Sequence, residues 1–151
     1  MIKIPKIEFQ LTNEKNFDSS KIKKNTILFF YTKALTSGCS TQVSDFQKYY
    51  TKFQRIGFDI IGASKDPIDK NLKFLDKFKL KYPLGSDDGE SIEKLGIWIE
   101  KSMYGRKYFG IDRSTFVIDK DKKILKQWNK VKVKGHVEDV YNFCKNLWSF
   151  N

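Results

Sequence analysis

Histidine occurs once in these 151 residues, cysteine twice and proline three times, and each shortage closes off a class of chemistry. A lone His136 is thin material for a triad or a His general base. With two cysteines as far apart as Cys39 and Cys144 it does not make a zinc site either, so no metal is expected. Two cysteines so separated are no disulfide framework. Neither a Walker A pattern nor G-x-G-x-x-G occurs, so no nucleotide cofactor is expected. No run approaches the ~18 apolar residues of a membrane span. The N-terminal MIKIPKIEF has no apolar core and no small-residue cleavage site, which argues against a signal peptide. There is no internal repeat and no linker. The expectation is one soluble, cytoplasmic domain over residues 1–151.

Arginine is the other scarcity. The 29 basic residues are 26 lysines and 3 arginines, set against 18 acidic residues for a net charge of +11. Clustered cations would suggest nucleic acid. Base and phosphate recognition favours the arginine fork, however, and the lysines here are scattered along the whole chain. A solvated basic surface with weak attraction to anionic surfaces is the better reading, without a specific nucleic-acid partner.

What is present is a core: 40% of residues are apolar and 15% aromatic. A chain this long buries roughly 70% of its unfolded surface and needs no staples. Ile27–Tyr31 (ILFFY) reads as a strand buried on both faces. Thr32 to Cys39 reads as a loop. Val43, Phe46, Tyr50 and Phe53 then recur at helical spacing until Gly57. Phe58 to Ala63 is a second buried strand. Asp66-Pro67 opens a helix, with Pro67 in the first position and an apolar face of Ile68, Leu72, Leu75 and Phe78. A brief strand at Tyr82 to Leu84 and a short helix near Ser91 to Leu95 follow. Ser114 to Ile118 and Ile124 to Trp128 flank a charged turn as a hairpin. Val137, Val140, Tyr141, Cys144, Leu147 and Trp148 mark a closing helix. This order predicts an α/β fold with a mixed central sheet flanked by helices, and a thioredoxin-like topology fits it.

With histidine nearly absent, cysteine is the candidate nucleophile. Cys39 falls between a buried strand and a helix, where free N–H groups and the helix dipole stabilise a thiolate and lower its pKa. Thr36, three residues earlier, offers a hydroxyl to the same spot. The same placement also suits a small residue in a tight loop, and spacing alone leaves both readings open. Cys144, on the apolar face of the last helix, reads as a small hydrophobe. His136, in Lys134-Gly135-His136 before that helix, reads as mostly solvated.

Four stretches resemble one family. Phe30-Tyr31-Thr32-Lys33-Ala34-Leu35-Thr36-Ser37-Gly38-Cys39-Ser40 is similar to the active-site segment of peroxiredoxins of the bacterioferritin comigratory protein (PrxQ) subfamily, which reads Y-P-K-x-x-T-P-G-C-T. Gly62-Ala63-Ser64-Lys65-Asp66 resembles its G-I-S-x-D. Trp98 to Gly105 (WIEKSMYG) resembles its W-x-E-K-x-M-Y-G, and Gly110 to Asp119 its G-I-x-R-x-T-F-x-I-D. The motifs occur in the same order, and the likeness runs from about residue 5 to the C-terminus. It implies a thioredoxin fold and reduction of hydrogen peroxide and organic hydroperoxides. Cys39 is then the peroxidatic cysteine and passes through a sulfenic acid. Thr36 is then the hydroxyl that hydrogen-bonds the peroxide. Arg113 is then the arginine that favours the thiolate and stabilises charge moving along the O–O bond. Gln42 stands where a carboxamide or carboxylate orients that arginine, and Trp98 is expected near the pocket.

Two departures matter. The subfamily often carries a resolving cysteine five residues after the first, and here that position is Ser44. A one-cysteine cycle follows, with an external thiol reductant such as thioredoxin, glutaredoxin or a small thiol, in a monomer. Thr32 stands where the family has proline, and Ser37 replaces another, so the loop is expected to be less rigid. The departures also motivate an alternative reading as a weakly active or non-catalytic redox sensor or chaperone-like binding protein.

Overall fold

The uninterrupted apolar run becomes the middle of the sheet because both of its faces are covered. In β3 (Asn25–Phe30), successive side chains point to opposite sides of the pleat. Ile27 and Phe29 enter one core and Leu28 and Phe30 another, all fully buried. The computed structural model describes residues 2–149. The side chains of Trp148 and Ser149 lie outside that description, and with them the expectation for Trp148. Among the described residues no helix is long and apolar enough to cross a membrane.

The other strands are β1 (Glu8–Leu11), β2 (Asn16–Asp18), β4 (Phe58–Ser64), β5 (Leu84–Ser86), β6 (Trp98–Met103), β7 (Arg106–Ile111), β8 (Ser114–Ile118) and β9 (Ile124–Trp128). The helices are α1 (Ser37–Lys48), α2 (Tyr50–Arg55), α3 (Ile68–Phe78), α4 (Glu90–Lys94) and α5 (His136–Ser149). Seven strands form one sheet in the order β2-β1-β5-β4-β3-β8-β9, and β6 and β7 form a separate ribbon. The strands β3, β4 and β5 run parallel, while β8 runs antiparallel to β3. The sheet is mixed and helices flank it, as the order of elements predicts.

The first core gathers Phe29, Val43, Phe46, Phe53, Phe74, Val137, Val140 and Cys144 under the helices. Phe29 and Phe46 stack with ring centroids 4.3 Å apart. That stack fixes Gly62 on the neighbouring strand, because a Cβ there would lie 2.6 Å from Phe29 Cζ. The second core lies on the opposite face, with Phe9, Phe17, Phe30, Ile92, Ile97 and Phe116.

Several expectations need correction. The helix expected between Val43 and Gly57 is two helices that break at Tyr49, although Val43, Phe46 and Phe53 are all buried. Pro67 is the cap of α3, with extended backbone, not its first helical residue. The buried face of α3 is also rotated. Asn71 and Phe74 are buried, Phe78 packs edge-on to Phe74, and Leu72 is exposed. A buried amide is tolerated here because its hydrogen bonds are satisfied, so hydrophobicity alone misplaced the stripe.

Candidate active site

Ligands of open α/β sheets bind beyond the carboxyl ends of the parallel strands, and β3 delivers the candidate nucleophile there. After Phe30 come Tyr31, Thr32 and a short loop, and α1 begins at Ser37. Cys39 therefore lies in the first turn of α1 rather than ahead of it, and Thr36 is the residue before the helix. Because β8 runs antiparallel, its first residue, Ser114, pairs with Phe30. Arg113 just before it is thereby set beside the first turn of α1 and Cys39, although the two are 74 residues apart in the chain.

The contacts follow from that register. Arg113 Nη2 donates to Cys39 Sγ at 3.2 Å, and Nη1 donates to Gln42 Oε1 at 2.6 Å. Gln42 is fully buried one helical turn after Cys39, and among the described residues its Nε2 has no partner. Arg113 makes no ion pair among the described residues, so its charge is directed at the sulfur rather than at a carboxylate. The Thr32 hydroxyl lies 3.3 Å from the same sulfur. Burial pushes the Cys39 thiol up, but the Thr32 hydroxyl, the Lys33 backbone N–H and the Arg113 charge outweigh it. The thiol is held below its ordinary value.

Thr36 is exposed, and its hydroxyl donates to the Lys33 carbonyl at 2.8 Å. A hydroxyl whose proton is committed in this way accepts from an incoming O–H. Cys39 itself has no exposed surface. A cavity of about 490 Å³ lies beside it, lined by Thr32 and Arg113, which both touch the sulfur, and by Ile99, Lys101, Tyr108 and Val131 among others.

Trp98 does not belong to this cavity. It lies under the Lys65 ammonium, 4.4 Å from ring centroid to nitrogen, and lines a separate hollow with Gly89, Glu90 and Glu93. Its β6 neighbours Ile99 to Ser102 line the site instead. The ribbon β6–β7 that carries them was not expected from the sequence. Charged and exposed residues obscure its alternation, and the signal available was Tyr104-Gly105. Both residues take positive φ, the tight-turn conformation of a hairpin.

A buried polar chain fixes the loop from below. Asp66 Oδ2 accepts from the Ala34 N–H at 2.7 Å and from the Ser64 hydroxyl at 2.7 Å. Asn71 accepts from the Tyr31 hydroxyl and donates to the Gly85 carbonyl and to the Ser86 hydroxyl. Ser64 and Asp66 belong to a stretch singled out in the sequence, whereas Asn71 carried no signal. The Ala34 bond lies one residue before Leu35, which sits at a strained φ of 66°.

His136 is buried, not solvated. Its Nε2 lies 2.8 Å from Thr115 Oγ1, with Phe46 and Trp128 edge-on around the ring. Burial pushes its pKa down to about 4; Asp139 opposes the shift and Arg113 adds to it. The unfolded chain therefore binds a proton that the folded chain refuses between about pH 6.5 and about 4. Stability rises with pH wherever the unfolded state binds more protons. Thermal melts are expected to lose stability as pH falls through that window, and His136→Gln is expected to lose less. Equal slopes in the two proteins would place the acid sensitivity elsewhere.

Among the described residues no three His, Cys, Asp or Glu side chains gather as a metal site requires. Cys144 is buried, and burial pushes its thiol up to about 12, in keeping with a packing role.

Known proteins resemble this chain in sequence and fold. The model of the AhpC/TSA family matches residues 2–127. Peroxiredoxin Bcp of Bacillus subtilis is 37% identical over 147 residues, 96% of this chain and 94% of that protein. Peroxiredoxin Bcp of Escherichia coli is 32% identical over 143 residues, 94% of this chain and 89% of that protein. The solved structure of Xanthomonas campestris peroxiredoxin Q superposes with a TM-score of 0.88 at 30% identity, covering 94% of this chain and 91% of that one. A second structure, of the bacterioferritin comigratory protein of the same organism, was determined in a study of its alkyl peroxide reduction activity. It also gives a TM-score of 0.88, at 29% identity, covering 94% of this chain and 92% of that one.

Proposed function

This chain belongs to the AhpC/TSA family and is a peroxiredoxin of the Bcp/PrxQ type, and from that premise we propose that it reduces peroxides by a one-cysteine cycle on Cys39. The observation that carries the reading is the Arg113 guanidinium, held by Gln42 and donating to the Cys39 sulfur at 3.2 Å. The Cys39 thiolate attacks the terminal oxygen of hydrogen peroxide or an organic hydroperoxide. An S–O bond forms as the O–O bond breaks, and the departing oxygen takes a proton and leaves as water or an alcohol. Arg113 stabilises the charge as it moves from sulfur to oxygen, and the Thr36 hydroxyl orients the peroxide.

The resulting sulfenic acid needs a thiol. Position 44 holds serine, and Cys144 lies in α5, whose Val137 and Val140 are packed in the first core. Bridging the two sulfurs would need their Cα atoms within about 7 Å. Freeing Cys144 by lifting that helix would expose side chains worth about 1.5–3 kcal/mol each. An external thiol therefore attacks the sulfenic acid, releasing water and forming a mixed disulfide. A second thiol then regenerates Cys39. Thioredoxin, glutaredoxin and small thiols are the candidate reductants.

Mass spectrometry after one equivalent of peroxide tests this cycle. Without thiol, Cys39 is expected to carry one added oxygen, and with a small thiol a mixed disulfide. Cys144→Ser is expected to leave turnover with a small thiol nearly unchanged. Non-reducing peptide maps that show an intramolecular Cys39–Cys144 disulfide in high yield would overturn the one-cysteine reading.

A further inference from the structure

Thr32 follows the last residues of β3, at a position where the resembled family carries proline. Its hydroxyl is 3.3 Å from Cys39 Sγ. Among the described residues that hydroxyl has no other hydrogen-bond partner, so no carbonyl competes with the sulfur for its proton. A thiolate has no proton to give, so in the reactive state the hydroxyl must be the donor. Arg113 Nη2 reaches the same sulfur at 3.2 Å, and both side chains line one cavity.

We propose that Thr32 is a catalytic hydrogen-bond donor in this protein: its hydroxyl joins the Arg113 guanidinium on the Cys39 thiolate and sets how much thiolate is present at neutral pH. A proline at this position offers neither a hydroxyl nor any other donor, so the chain has gained a contact rather than merely lost a rigid ring. The inference rests on Cys39 being the nucleophile and assigns to Thr32 a part in the same step.

The chemistry dictates a signature that a packing role would not produce. Hydrogen bonds to charged groups are stronger than those between neutral groups, so losing one shifts the balance from thiolate to thiol. Removing the donor should raise the Cys39 pKa by about one unit, which is about tenfold in thiolate fraction while most of the thiol is protonated. The thiolate that does form is less stabilised and therefore more nucleophilic. With a Brønsted slope of about 0.4–0.5, one unit makes it roughly threefold faster once fully ionised. The pH–rate curves of wild type and variant should therefore cross, the variant being slower in acid and faster in alkali.

The test is an ultraviolet titration of the thiolate in wild type, Thr32→Val, Thr32→Ser and Thr32→Pro, with folding checked by near-ultraviolet circular dichroism. Cys144 stays out of the titration because its pKa is about 12. Valine keeps the shape and removes the hydroxyl, so its midpoint should rise by about one unit. Proline should behave as valine does, and it carries the comparison if valine does not fold. Serine keeps the hydroxyl and should titrate as wild type does. Valine or proline titrating with wild type would overturn the proposal, as would serine rising as far as valine. The titration reads the contact without any peroxide. A wild type that fails to consume peroxide would sink the proposed function instead, and the two failures are distinguishable.

Discussion

Cys39→Ser is expected to abolish thiol-dependent peroxide consumption, the largest single effect in the molecule. Serine keeps the size and the hydrogen-bonding geometry, but its hydroxyl is not ionised by the surroundings that ionise a thiol. No second nucleophile can substitute. Cys144 is fully buried and its pKa is about 12, so about 10⁻⁵ of it is thiolate at neutral pH. It also lacks every feature that lowers the Cys39 pKa, because burial is the only influence on it. The measurement is peroxide loss with a small-thiol reductant in excess. Residual turnover above a few per cent of wild type would mean that the nucleophile has been misassigned.

The parts of this site that were legible in the sequence are those fixed by local pattern. ILFFY read as a strand covered on both sides, and the change to helical spacing after it placed Cys39 at a strand-to-helix junction. Family motifs then supplied Arg113, whose position depends on β8 pairing antiparallel with β3 in a register that no local pattern encodes. Gln42 was named only by its place in the motif, yet it holds the guanidinium at 2.6 Å. The misreadings came from tertiary contacts that override composition. His136 looked solvated because it follows Lys134-Gly135, but it is buried against Thr115, Phe46 and Trp128. Asn71 carried no signal and is the hub that anchors Tyr31. Trp98 looked like a pocket residue and faces Lys65. Thr32 was named beside the site only as a replaced proline, and its hydroxyl lies 3.3 Å from the sulfur.

Arg113→Ala is expected to slow peroxide reduction by about 10²-fold, the scale of removing one preorganised donor from a developing charge. The Cys39 pKa should rise at the same time, because a neighbouring cation favours the thiolate. Both effects trace to one guanidinium with two separate tasks, since Nη2 meets the sulfur and Nη1 meets Gln42. Arg113→Lys separates them. Lysine restores the positive charge but not the planar fork, so a single ammonium cannot serve both acceptors in the same geometry. The lysine variant should therefore recover most of the pKa shift and only part of the rate. Alanine also leaves Gln42 with neither oxygen nor nitrogen paired inside the core, at a cost of about 1–3 kcal/mol of stability. Thermal melts should show that loss in Arg113→Ala and a smaller one in Arg113→Lys. The decisive comparison is stopped-flow oxidation of Cys39 alongside thiolate titration in both variants. An unchanged pKa in Arg113→Ala would remove Arg113 from the sulfur, and full activity in Arg113→Lys would reduce its role to charge alone.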